Sequence, residues 1–271
     1  MKFTPRTPRE GINVSDVHPL AEAATLIAGL SAILVAIALV IVFFVDLVIL
    51  FLPPKLEARL FQNLVAEQLL SAEYDTPQAR ALQGRVDSLA EQWPDNPYQF
   101  RAGILLAEQP NALALPGGII LVTNTLLQQA ESENELAFII GHEIGHFKNR
   151  DHIRQLGRAA LLGLLAAALL GQNVDSLSGS VIGLTMGGFS RGQESAADEF
   201  GLQLVHGTYG HVAHAWRFFE RVAEREGDLG PFASFAASHP SPGDRIERMA
   251  RLAERNGWPL NGPATGLDGL R

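Results

Sequence analysis

The sequence predicts an α+β fold, mainly helical with one small β-sheet, tethered by a single N-terminal membrane-spanning helix. Three observations predict it. Residues 23–45 are a run of 23 residues without a charge. Much of the chain beyond them carries apolar residues near helical spacing. One short β-branched run, IILVT at 119–123, follows a Pro-Gly-Gly turn signal and reads as a strand.

At 271 residues the chain has room for one good-sized domain plus an appendage. Its formal net charge is -8 and no basic run exceeds two residues, which sets a nucleic-acid partner aside. There is no cysteine. Disulfides, thiolate zinc sites and a cysteine nucleophile are excluded, so any metal site must use His and carboxylates.

A helix over residues 23–45, rising about 1.5 Å per residue, reaches roughly 34 Å and covers a hydrocarbon core of about 30 Å. Asp46 then falls near an interface, and the Pro53-Pro54 pair ends the helix after Leu52. The run is too long for a cleaved signal peptide and no small-x-small site follows it, so it reads as an uncleaved anchor in a lipid bilayer. The predicted organisation is a tail (1–22), an anchor (23–52), a domain (55–252) and a loosely packed tail (253–271). Lys2, Arg6 and Arg9 before the span outnumber Lys55 and Arg59 after it. That asymmetry puts the N-terminus in the cytoplasm and the domain across the membrane, in a bacterial inner membrane.

After the anchor, Leu56, Leu60, Leu64 and Leu69 predict a helix over 55–72. Thr76-Pro77 is a cap followed by a first-position proline and opens a second helix over about 77–92. A strand-like run passes through 100–106. Pro116-Gly117-Gly118 is the turn before the IILVT strand.

Ser132-Glu133-Asn134-Glu135 predicts a capping box, with Glu135 reaching back to the cap. The helix it opens carries His142 and His146, four apart and so on one face, the separation at which two imidazoles hold one metal ion. Glu143 follows the first histidine and can address water at a third position. Against this stands a helix whose histidines merely cap or pack. Gly141 and Gly145 weigh for the metal reading, because interior glycines cost a helix about 1 kcal/mol each and imply a close backbone approach. Catalytic zinc takes three protein ligands plus water. Glu194, on a later helix, is the candidate third ligand, and Asp198, four residues on, would accept a histidine N–H. A solvated acidic helix face is the plain alternative for that pair.

HEIGH (142–146), ESAAD with a following glycine (194–201), NALALPGG (111–118) and HPSPGDR (239–245) occur in that order. Together they resemble the gluzincin zinc metallopeptidases of the HtpX and CAAX prenyl protease type, over residues 60–250. The resemblance implies a zincin-like domain with one Zn2+, held by His142, His146 and Glu194, and Glu143 as catalytic base. It implies support from Asp198 and a place near the cleft for Arg245. It implies that Gly118, Ile119, Ile120, Leu121 and Val122 form the edge strand that pairs with a polypeptide substrate. His239 either stabilises the oxyanion, closes the resting site as an extra ligand, or is a plain loop histidine. Leu113 replaces a frequent aromatic. Residues 159–170 and 177–189 are too short to cross a bilayer and read as a buried helix and an apolar cover, which places the chain in the branch with a compact peripheral domain.

The function expected is that of a membrane-anchored zinc endopeptidase acting on unfolded or membrane-associated proteins. The alternatives are a non-cutting chaperone or peptide-binding module using the same groove, and a tethered scaffold with structural zinc. His211 and His214 lack a carboxylate at ligand spacing, and His18, His152 and His206 have no evident partner in the sequence; all five read as structural.

Overall fold

A computed structural model describes residues 18–61, 72–170, 188–225, 230–239 and 242–270. The chain divides into two compact units, Met1–Phe44 and Val45–Arg271. The first holds most of α1 (Pro19–Phe51), a helix of 33 residues long and apolar enough to cross a membrane. Its side chains, Leu26, Ile27 and Phe43 among them, are largely exposed, as lipid contact requires.

The second unit is α+β and mainly helical, with a small mixed sheet, as predicted. α2 (Pro54–Phe61) starts at the second of the paired prolines. The remainder of the helix expected over 55–72 lies outside the described residues. α3 (Pro77–Ala90) opens as its sequence predicts, the Thr76 hydroxyl accepting the Ala79 N–H at 3.1 Å. The sheet comprises β1 (Ala72–Glu73), β2 (Arg101–Leu105), β3 (Ala112–Leu115) and β4 (Ile119–Thr123), in the order β1-β2-β4-β3. At the turn, Gly117 and Gly118 take φ of 95° and 84°, where a side chain would be strained, and β3 folds back antiparallel on β4.

This order corrects one expectation. Gly118, Ile119, Ile120, Leu121 and Val122 do not form an edge: β4 pairs with β3 on one side and in parallel with β2 on the other. Among the described residues the edge strand on that side is β3. All five β4 residues are buried, which fits a strand in the interior of a sheet.

α4 (Asn124–Gln129) leads into α5 (Glu133–Asn149), the helix of the paired histidines. α6 (Asp151–Leu170) is a single helix of 20 residues, longer than the segment predicted at 159–170. The cover expected at 177–189 lies outside the described residues except for its last two. α7 (Arg191–Tyr209) opens with a complete capping box from Ser190 and Gln193. α8 (Arg217–Ala223), α9 (Ala233–Ser238) and α10 (Pro242–Asn256) complete the helices. Phe138, Phe147, Phe200, Phe218 and Phe219 anchor a core between the sheet, α5 and α7. The tail beyond α10 is largely exposed, as expected of it, but it is tied to the domain at particular points. Leu270 is fully buried, the Pro259 carbonyl accepts the Val212 N–H at 2.9 Å, and the Thr265 carbonyl accepts the Glu133 N–H at 2.9 Å.

Candidate metal centre

α5 and α7 cross backbone on backbone. A Cβ at Gly145 would lie 2.8 Å from Ala197 Cα, and one at Gly141 would lie 3.1 Å from Gly201 Cα. These are the close approaches that the interior glycines imply. The crossing sets Glu194 and Asp198 of α7 directly over His142 and His146 of α5, with all four side chains buried.

Ser132 caps α5 by accepting the Glu135 N–H at 3.3 Å. The Glu135 carboxylate does not complete the predicted box. It takes the Glu131 N–H and the guanidinium of Arg221 on α8 instead.

His142, His146, Glu194 and His239 bring one donor atom each to a common centre. His142 Nε2 lies 3.1 Å from both His146 Nε2 and His239 Nδ1. Glu194 Oε1 lies 3.2 Å from His239 Nδ1 and 3.5 Å from His146 Nε2. A tetrahedral ion with ligand bonds of about 2.0–2.1 Å would separate its ligands by about 3.3–3.4 Å, so these spacings fit one. The outer nitrogens argue the same way. His142 Nδ1 stands 3.0 Å from Asp198 Oδ1, and His146 Nδ1 stands 3.0 Å from Asp151 Oδ2. An ion between the two inner Nε2 atoms, with each outer Nδ1–H donating to its carboxylate, is the arrangement these contacts fit.

Arg245 lies behind the ligands rather than in an open cleft, and is 1% exposed. Its Nε donates to Asp198 Oδ2 at 3.0 Å and its Nη2 to Asp198 Oδ1 at 2.5 Å, while Nη1 pairs with Glu194. Burial alone would raise the Asp198 pKa, but Arg245 and His142 bring it down to about 2. Burial would likewise raise that of Glu194; the neighbouring His239, His142 and His146 imidazoles hold it well below the carboxylate range. Burial pushes the His142 imidazole down to about 3, whereas at His146 the bonds to Asp151 and Glu194 outweigh burial and raise it to about 9. For Glu143 burial prevails and raises the pKa, against the charges of His239 and His146 and an N–H from Ala114.

Glu143 is buried beside the donor set. Its Oε1 is 3.4 Å from His239 Nε2. His239 closes α9 and is fully buried, and Phe189 stacks on the His146 ring with centroids 3.8 Å apart. Pro240 lies outside the described residues.

Two functional side chains escape the sequence reading. Asp151 does for His146 what Asp198 does for His142. His152 is not without a partner: its Nε2 is 2.7 Å from Glu57, a carboxylate with no exposure. Among the other histidines, His206 stacks on Trp258, His214 Nε2 is 3.1 Å from the Gly262 carbonyl, and the His211 ring lies against Gly262. His18 Nδ1 accepts the Leu20 N–H.

Two imidazoles from the HExxH helix and a carboxylate from the helix that crosses it, beside a small sheet, define the gluzincin class. The chain belongs to Peptidase family M48, whose model matches residues 77–253. It is 32% identical over 149 residues to the mitochondrial metalloendopeptidase OMA1 of Schizosaccharomyces pombe, covering 52% of this chain and 42% of that protein. It is 31% identical over 155 residues to the metalloprotease LoiP of Escherichia coli (54% of this chain, 60% of LoiP). Over 187 residues it is 26% identical to a protease HtpX homolog of Salinibacter ruber (56% of this chain, 67% of that one). The chain thus spans well under two thirds of OMA1.

Proposed function

We propose that the chain is a membrane-anchored zinc endopeptidase that cuts extended segments of unfolded or membrane-associated proteins. The observation that carries this reading is the convergence of His142, His146 and Glu194, with Glu143 beside them, at tetrahedral spacing. Imidazole-rich sites completed by a carboxylate suit zinc. A zinc ion held there supplies Lewis-acid polarisation of a carbonyl and a lowered pKa for water. Glu143 takes the proton from the attacking water and hands it to the leaving nitrogen.

The edge strand β3 is the proposed seat of the substrate. Thr123 N–H donates to the Asn111 carbonyl, so in this antiparallel register the backbone groups of Ala112 and Ala114 turn away from β4. The Ala114 N–H reaches Glu143, which puts the outer edge of β3 beside the catalytic base. An extended peptide added there gains main-chain hydrogen bonds with little side-chain selectivity. His239 serves as a closing ligand in the resting site: its Nδ1 belongs to the donor set and its Nε2 faces Glu143. The excess of basic residues before α1 supports a non-cytoplasmic domain.

The test incubates the detergent-solubilised full chain with an unfolded casein. Cutting should stop with a chelator and return with zinc. Glu143→Gln should keep the metal and lose turnover by a factor of at least about 10²–10⁴; Glu194→Ala should lose the metal. Cutting that survives both the chelator and Glu143→Gln would overturn the reading.

A further inference from the structure

Three consecutive residues past the metal helix point in three directions. Arg150 caps α5 in a left-handed backbone, φ 58°, where glycine is usual. Its Nη1 donates to the carbonyls of Ile49 at 2.7 Å and Leu52 at 2.5 Å, at the end of α1 where intrahelical donors run out. Asp151 receives His146 Nδ1 on one oxygen and, on the other, the amide of Gln193 at 2.8 Å, the neighbour of Glu194. His152 meets Glu57 on α2.

Glu57 is the hub. Besides His152 it takes Arg150 Nη2 at 3.2 Å, the Tyr98 hydroxyl at 3.1 Å and the Gly117 N–H at 3.4 Å, the last in the turn between β3 and β4. A carboxylate buried so completely is tolerable only with this many donors, and the set is drawn from the segment before β2, the β3–β4 turn and both flanks of Asp151. An unusual backbone conformation that persists because its side chain is tied down on two sides is a sign of a positional task.

We propose that Glu57 and Arg150 are positioning residues: they hold the Arg150-Asp151-His152 turn to the last turns of α1, and through Asp151 fix the orientation of the metal ligand His146. Ile49 in the last turn of α1 and Leu52 just beyond it belong to the same compact unit as the metal centre. Loosening Glu57 releases Arg150 Nη2 and His152 Nε2 together, so both flanks of Asp151 lose a tie although Arg150 Nη1 keeps its two carbonyls. This inference rests on the metal reading above. A purely structural ion pair would lower the unfolding midpoint without altering how firmly the folded protein keeps its ion.

The test uses the full chain in lipid nanodiscs, loaded with zinc, and follows zinc transfer to a chromophoric chelator alongside amide hydrogen exchange over residues 146–152. Glu57→Gln and Arg150→Lys should release zinc about tenfold faster than the parent, the low end of what partners of a ligating histidine contribute. Exchange over 146–152 should rise while near-ultraviolet circular dichroism stays native. Lysine keeps the charge but cannot serve two carbonyls and a carboxylate at once, so Arg150→Lys carries the test alone if Glu57→Gln does not fold. Arg158→Gln, which breaks the separate pair of Arg158 with Asp46 on α1 at 2.7 Å, should match the parent. Release as slow as the parent's in both variants, or equal acceleration by Arg158→Gln, would overturn the proposal. A parent chain that takes up no zinc would sink the metal reading instead, and the exchange comparison would still decide whether the turn is held by Glu57.

Discussion

Gly145→Ala probes the crossing on which the metal centre depends. The added Cβ would lie 2.8 Å from Ala197 Cα and 2.9 Å from its carbonyl oxygen, where ordinary contact begins at 3.4 Å. Both neighbours are backbone, so the helices themselves must part, by about 0.6 Å for the first contact alone. Two terms oppose each other. Alanine in a helix interior gains about 1 kcal/mol over glycine, while overpacking a rigid site costs about 1–3 kcal/mol. With no flexible side chain to yield, the upper end applies, and a net loss of about 1–2 kcal/mol is expected. The His146 Nε2 to Glu194 Oε1 spacing, already 3.5 Å, would open further and weaken ion binding. Urea unfolding gives the stability and elemental analysis gives the zinc content. Gly84→Ala is the matched control: it sits in α3 with nothing within 4 Å of its Cβ, so it should gain about 0.5–1 kcal/mol. A Gly145→Ala protein as stable as Gly84→Ala, with a full complement of zinc, would refute the reasoning.

Three further outcomes follow from the same geometry. His239→Ala removes the closing ligand and leaves the other three donors, so zinc should stay bound and peptide cleavage should accelerate; a zinc-loaded variant without turnover would favour the oxyanion role instead. Arg245→Met strips the buried carboxylates Glu194 and Asp198 of their shared counter-charge and should cost about 3–5 kcal/mol in urea unfolding of the metal-free protein. Glu57 has a folded pKa below its ordinary 4.5, because His152, the Gly117 N–H and Arg150 outweigh the opposing effect of burial. Its contribution is therefore present above the unfolded pKa and lost as pH falls through the folded one; the stability lost between pH 7 and about pH 3 should be smaller in Glu57→Gln than in the parent.

The residues nearest the ion were legible because each obeys a local rule. His142 and His146 share a face by helical period, Glu194 and Asp198 repeat the spacing, and Gly141 and Gly145 announced the close partner helix that Gly201 and Ala197 provide. What lay outside reach was set by tertiary neighbours. Asp151 falls beyond the left-handed turn at Arg150, where helical periodicity no longer says which way a side chain points. His152 finds Glu57 across 95 residues of chain, a separation no local pattern encodes. The β4 misreading was different: IILVT and ALAL are both apolar and both buried throughout, so nothing local to either run says which of the two is the edge.

The C-terminal tail shows the same limit and yields a prediction of its own. Gly257, Pro259, Gly262 and Pro263 look like a loose end by composition, yet the segment they shape closes the first turn of α5, where helix N–H groups lack partners. The Thr265 carbonyl takes the Glu133 N–H at 2.9 Å, and the Thr265 N–H donates to Asn134 Oδ1 at 2.8 Å. A chain ending at Asn256 would forfeit these bonds, at about 1 kcal/mol each, and the burial of Leu270, worth about 1.5–3 kcal/mol. The expected loss of about 3–5 kcal/mol is a large share of a domain's stability, and it should appear as a lower urea midpoint. Zinc content should be unaffected wherever the shortened chain remains folded, because the ligands lie two turns or more along α5 from the point released. Equal midpoints for the two chains would show that Ser132 alone suffices to start the metal helix.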